Sequence, residues 1–493
     1  MSGRIEFTTL TEDDAFEAPH SGTSVSKSKS GEITPLKELN TKKQDFRNRA
    51  EGLQFIILLF VIASFCITVA LAVEIVIGES QVPSHGAVSS LSGTCSDVGV
   101  GILKKNGNAV DAAISAMICL MVVEPQASGL GGLLASSQQY FRGGFIVIHD
   151  HKRKDHPATV LDFRESAPGD IATASGNFEK EMHSRPGLRV GVPGELLGMF
   201  EASKAHGRLP WSELFTPVIK IAEDGFPVSA RLGKLAIQID FMCTKVLRKR
   251  VAKEKDFPDG FFNVFRNPAT NQLYDEGDVM HRKDLANLFR KVSTEGISTF
   301  YSGSIAEEIV REVQKNGGVM KLDDLKNYRV MSDISPIVGK FLNYTVVTMP
   351  APSSGSLLLY TLKSVEKLDV DNPLSTLYMT ALTEATKNAY VCRTLLGDPY
   401  KNPKVRVFES LIANSLNNLF GSMILTPSGI LLNDELLDFS NIEQDPNEKY
   451  NFIQPNKRPL SSMVPTIVYQ ENRPCLLRLS VDLFTFVQSY TKD

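Results

Sequence analysis

Arg164, in the string LDFRES, carries a planar guanidinium that can hold a carboxylate through two parallel hydrogen bonds. Glu435 and Asp438, in NDELLDFS, could offer two acceptors to a single ammonium. Ser461 and Ser462 adjoin in KRPLSS, where paired hydroxyls can serve a ligand. Each feature also has a plainer reading. Arg164 can be a surface residue paired with Glu165, the two acids a solvated face, and the serines a turn. On these residues alone both readings stand.

Placing such side chains falls to the surrounding elements. The stretch 110–122 (VDAAISAMICLMV) is Ala-rich and apolar nearly all round, which predicts a helix buried inside the protein. Runs rich in β-formers at 145–149, 159–163, 344–349 and 466–469 predict short strands. Helical periodicity occupies 305–314 and 374–396, the second closing at Gly397. Strands mixed with buried helices predict a layered α/β or α+β sandwich. The text has no solenoid-period repeat, P-loop or dinucleotide fingerprint.

Composition narrows the classes further. Lys and Arg number 53 against 56 Asp and Glu, a net charge of −3, so the basic excess typical of nucleic-acid binders is missing. Six cysteines in 493 residues exclude a disulfide-built mini-domain, and no CxxC pair points to zinc. No metal or cofactor is expected.

The chain reads in three parts. Residues 1–50, polar and poor in large apolar groups, predict a disordered cytoplasmic tail. The text then turns apolar, with 21 uncharged residues over 53–73, which predicts one transmembrane helix within 51–77. A cleaved signal peptide would begin at the extreme N-terminus with a shorter apolar core. Lys42, Lys43, Arg47 and Arg49 precede the span, and no Lys or Arg follows until Lys104. Basic residues stay cytoplasmic, so 78–493 is expected outside or in a lumen, as in a single-pass type II protein. The sequon Asn343-Tyr344-Thr345 fits that compartment as a glycosylation acceptor. Cys95 and Cys119 could pair as a disulfide there, whereas Cys66 lies within the span.

Several longer strings are specific rather than merely polar. They are GLGG at 129–132 with GGFIVIHD at 143–150, LDFRESAPG at 161–169, and RVGVPGELLGM at 189–199. GRLPW, AEDGFPVS, PAPSSGS at 350–356 and RTLLGDP at 393–399 follow. NSLNNLFGS at 414–422, PSGILLNDELLDFS at 427–440 and QPNKRPLSSMVPTIV at 454–468 complete the series. In this order they resemble the gamma-glutamyltransferase (glutathione hydrolase) family over nearly everything from Gln81 to Val468. The anchored outline looks like its single-pass type II members.

The resemblance implies an N-terminal nucleophile hydrolase fold, a four-layered αββα sandwich preceded here by one transmembrane helix. It implies self-cleavage that exposes a threonine, which then attacks the γ-glutamyl bond of glutathione or its conjugates and passes the glutamyl group to water or an acceptor. Such chemistry needs a hydroxyl nucleophile, an amine as base, an oxyanion hole and a clamp on the glutamate's charged ends. By the same resemblance, Arg164 grips the substrate α-carboxylate, helped by Ser461, Ser462 and the nearby Asn417. Glu435 and Asp438 receive the ammonium. Ser415 stands where a threonine assists the nucleophile and autoprocessing. Related enzymes also have cysteines at places matching Cys95 and Cys119.

This chain departs from the family's pattern in three places. Residues 133–142 (LLASSQQYFR) interrupt a glycine loop that is otherwise continuous, disturbing its geometry. No threonine stands between Thr394 and Thr426, where the nucleophile is expected. After Pro474 the text becomes CLLRLSVDLFTFVQSYTKD, without the glycine-rich turn that forms the oxyanion hole. The sandwich is therefore expected to be incomplete and the chain inactive. The alternative to a catalyst is a non-catalytic membrane protein acting by binding, or by pairing with a full-length relative.

Overall fold

The computed structural model describes residues 54, 56–71, 86–126, 128–129, 144–150, 158–171, 181–182, 184–233, 264–366, 368, 375–401, 421–440, 449–470, 473–477, 480–481 and 486–488. Outside them lie the expected tail, the ends of the expected span, the interruption at 133–142, and Ser415 and Asn417. The chain divides into two units, Met1–Gln81 and Val82–Asp493. In the first, residues 54 and 56–71 are helical with exposed apolar side chains. Among the described residues no helix is long and apolar enough to cross a membrane.

The second unit opens with two helices, α1 (Gly93–Lys104) and α2 (Ala109–Val123). Asn108 caps α2: its side-chain oxygen accepts from the Val110 and Asp111 amides, and Asp111 accepts from the Asn108 amide. Being apolar on every side, α2 is buried on nearly every side. A Cys95–Cys119 disulfide ties it to α1 with Cα atoms 5.4 Å apart. Closing a loop of that size stabilises the fold by about 3 kcal/mol. The helices α3 (Glu195–His206), α4 (Trp211–Asp224), α5 (Lys283–Glu295) and α6 (Ser304–Lys315) join them.

Strands β1 (Phe145–His149) and β2 (Ala158–Asp162) pair antiparallel. Alternation gives the pair two apolar faces. Ile146 and Leu161 join the core of the helices just named. Phe145, Val147, Ala158 and Val160 face the other way and pack with Val347, Met349 and Met463. Those partners belong to or flank a second sheet, of β3 (Ile337–Phe341), β4 (Tyr344–Thr348), β5 (Ile467–Gln470) and β6 (Arg473–Leu477), ordered β6-β5-β4-β3. Behind it, α7 (Gly355–Val365) meets β3, where Leu359 fills the space beside Gly339, and α8 (Thr376–Arg393) packs on α7. The layering is helix, sheet, sheet, helix.

A buried arginine as the candidate binding site

Arg164 follows the end of β2 by two residues, and the packing of Phe163 sets where it points. The Phe163 ring is fully buried, and three motif glycines make room around it. A Cβ on Gly144 would lie 1.8 Å from the ring, one on Gly198 2.1 Å from it, and one on Gly194 2.0 Å from the Phe163 carbonyl oxygen. These glycines serve close approach; none of the three has a positive φ.

The backbone of Arg164 is held from both sides. Its amide donates to Asp162 Oδ1 at 2.8 Å. Its carbonyl accepts from the Tyr328 hydroxyl at 2.7 Å and from Arg458 Nε at 3.1 Å. Arg458 also donates to the Arg329 carbonyl and lies 3.4 Å from Asp162 Oδ2, while Asp398 accepts from its amide. Sequence reasoning assigned no role to Arg458, Asp162 or Asp398, although each sits inside a quoted motif; nothing in the text singled out Tyr328.

The guanidinium is fully buried. Its Nη2 donates to Asp438 Oδ2 at 2.6 Å and to the Leu460 carbonyl at 2.9 Å, and its Nε to the Pro459 carbonyl at 2.6 Å. Nη1 lies 3.1 Å from Glu435 Oε2. The plainer readings of both features are therefore corrected. Arg164 is not a surface residue paired with Glu165, and Glu435 and Asp438, at 0% and 3% exposure, are not a solvated face. A short 3-10 turn, Glu435–Asp438, aims both acids at the same cation.

That turn is anchored by Asn433, which accepts from the Gly191 and Glu435 amides and donates to the Gly191 carbonyl. Just upstream, Glu308 of α6 accepts from the Ser428 amide and hydroxyl, and Arg282 donates to the Gly429 carbonyl. The helical layer thus holds the loop that delivers the acids.

Ser461 and Ser462 continue directly from the two carbonyls that Arg164 grips. Ser461 is buried, its hydroxyl accepting from the Met463 amide at 3.2 Å, and Ser462 is half-buried. The PAPSSGS string holds this segment: the Ser354 hydroxyl donates to the Ser461 carbonyl and the Ser353 hydroxyl to the Met463 carbonyl. Here too the motif was visible, but not the job of its serines. Asn343 lies away from this cluster, exposed in the β3–β4 turn.

Glu165 is the unexpected member. It is fully buried, and neither carboxylate oxygen has a hydrogen-bond partner among the described residues. Burial pushes its carboxyl up to about 8, against the pull of the Arg164 charge. Burial likewise raises the Asp162 carboxyl, against the pull of the Arg458 charge. Among the described residues no group of acids, histidines or cysteines could hold a metal ion.

Comparison with known proteins gives this cluster a context. A family model described as gamma-glutamyltranspeptidase matches residues 95–416 and 410–478. A human protein named glutathione hydrolase 7 is 32% identical over 501 residues, covering 88% of this chain and 70% of its own. Glutathione hydrolase 3 of Arabidopsis thaliana is 31% identical, over 78% of this chain and 66% of its own. Among solved structures, the Helicobacter pylori gamma-glutamyltranspeptidase is 30% identical with a TM-score of 0.53, covering 64% of this chain and 84% of that one. A cephalosporin acylase from Bacillus halodurans shares the fold at a TM-score of 0.64 and 21% identity, over 79% and 76% of the two chains.

Proposed function

Because the chain belongs to the gamma-glutamyltranspeptidase family, we propose that it binds γ-glutamyl compounds of the glutathione class at Arg164 and does not cleave them. One observation carries the binding half: a buried arginine ion-paired with two buried acids, next to a serine pair. The amino-acid end of a γ-glutamyl compound carries one carboxylate and one ammonium. Inserted between Arg164 and the acids, it places its carboxylate on the guanidinium and its ammonium against Glu435 and Asp438. Each buried charge exchanges one partner for another of the same sign, so none is left unpaired. That condition decides whether opening a buried ion pair is tolerable, since stranding one charge costs about 3–5 kcal/mol. Ser461 and Ser462 stand beside the carboxylate position, at the carbonyls Arg164 already holds.

The second half rests on the text between Thr394 and Thr426, which contains no threonine, and on the family match, which falls into two segments meeting at 410–416. Threonine chemistry needs the hydroxyl and the newly freed α-amine on one residue, so losing that residue removes self-cleavage and turnover together. We further propose that the apolar text at 53–73 anchors the chain in a membrane with 78–493 outside or in a lumen.

The test uses the purified full chain. Titration with glutathione is expected to show saturable binding that Arg164→Gln abolishes, with one band on a denaturing gel and no release from a chromogenic γ-glutamyl amide. Two subunit bands with release above background would refute the non-catalytic half. Binding that survives Arg164→Gln would refute the site.

A further inference from the structure

Three segments distant in sequence run side by side at Arg164. Asp162 and Met331 exchange backbone hydrogen bonds at 2.8 Å, which sets residues 328–331 along the end of β2. The third segment is 458–460, whose Pro459 and Leu460 carbonyls accept from the Arg164 side chain. Arg458 laces all three: its guanidinium donates to the Arg164 and Arg329 carbonyls at 3.1 and 2.6 Å and faces Asp162 at 3.4 Å. Tyr328 closes the short helix Leu322–Asn327, and its ring centre lies 5.6 Å from the Arg458 guanidinium carbon. Its hydroxyl donates to the same Arg164 carbonyl at 2.7 Å. Burial raises that hydroxyl well above the ordinary tyrosine range, so it stays a donor near neutral pH. Gly194 opens the path, since a Cβ there would lie 2.1 Å from the Tyr328 hydroxyl oxygen.

We propose that Tyr328 and Arg458 are positioning residues for ligand binding: by fixing the Arg164 carbonyl, they keep the guanidinium aimed while its acid partners are exchanged for a carboxylate. The inference deepens the binding reading above and rests on it. When a γ-glutamyl ligand enters, Arg164 lets go of Glu435 and Asp438, and its side chain keeps the Pro459 and Leu460 carbonyls. Those carbonyls belong to the segment that Arg458 ties to Arg164, so each arginine fixes the main chain of the other. A two-bond carboxylate pair tolerates little misplacement of the guanidinium plane. An arginine already held at both ends needs less ordering when the ligand arrives, and less ordering means tighter binding.

The purified full chain is titrated with glutathione. Tyr328→Phe removes one hydroxyl and keeps the ring, so a folded protein is expected, with binding about 3- to 10-fold weaker for the lost hydrogen bond. Tyr301→Phe is the control. That buried hydroxyl donates to the Pro193 carbonyl at 3.0 Å and accepts from the Leu197 amide, and its ring stacks on Tyr328. Both variants should lower the thermal midpoint, but only Tyr328→Phe should weaken glutathione binding. A role in packing alone would change affinity in both or in neither, and either outcome would overturn the inference. The double variant Asp162→Asn/Arg458→Gln removes both charges together, so no buried carboxylate is stranded. It should weaken binding at least as much as Tyr328→Phe. If Arg164→Gln abolishes binding while Tyr328→Phe and the double variant match the unaltered chain, this inference fails and the binding site stands. If the unaltered chain does not bind glutathione, or Arg164→Gln still does, the binding reading itself fails and takes the inference with it.

Discussion

Arg164 shows how burial changes what one side chain can do. On a surface it would form a screened, exchangeable pair; fully buried between Asp438 and Glu435 it is a fixed cation whose loss strands two carboxylates. Arg164→Gln is therefore expected to lower unfolding free energy by about 3–5 kcal/mol, read from denaturant midpoints. Glu435→Gln should cost less, because Asp438 and two carbonyls still hold the guanidinium. Glu165 makes an opposite pH signature. Its carboxyl titrates near 4.5 when unfolded and is pushed up to about 8 by burial, so the folded state holds a proton that the unfolded state has released. Its contribution is full below about 4.5 and is lost as pH rises towards 8, amounting to a few kcal/mol on the order of the shift. Stability measured from pH 5 to 8 should fall less steeply in Glu165→Gln. An identical slope in the two proteins would sink this assignment.

Among the elements, the glycines divide sharply by what surrounds them. Gly198 lies in α3 with the Phe163 ring where its Cβ would be, so Gly198→Ala forces the ring and the following Arg164 to shift. A loss of about 1–3 kcal/mol is expected, together with weaker ligand binding. Gly101 lies in α1, and a methyl group added there would meet nothing within 4 Å, so Gly101→Ala should stabilise by about 0.5–1 kcal/mol through helix propensity alone. Thermal melts of the two variants must move in opposite directions. Equal shifts would mean that the Phe163 socket does not position the arginine.

For the whole chain, the anchor proposed at 53–73 is tested by where residues 78–493 are found. The basic cluster at Lys42, Lys43, Arg47 and Arg49 against an uncharged 53–73 sets the expectation. Protease added outside intact cells should remove most of the chain and leave an N-terminal fragment protected. Recovery of an intact C-terminal part would reverse the orientation.

The linear text sufficed for whatever depends on neighbours in sequence. The helix expected over 110–122 runs Ala109–Val123, and the strands expected at 145–149 and 344–349 are Phe145–His149 and Tyr344–Thr348. Periodicity and propensity act within one element, so they can be read without knowing the fold. The ordered motifs identified the family for the same reason, since residue order survives without coordinates. Only the tertiary structure decided who pairs with whom. Arg164 meets Asp438 across 274 positions and Arg458 meets the Arg164 carbonyl across 294, distances over which no periodicity carries information. It also decided that the motif glycines serve close packing around Phe163 and that Glu165, next in sequence to Arg164, is not its partner. Burial is a property of all the packed layers together, and the charge state and partners of a side chain follow from burial.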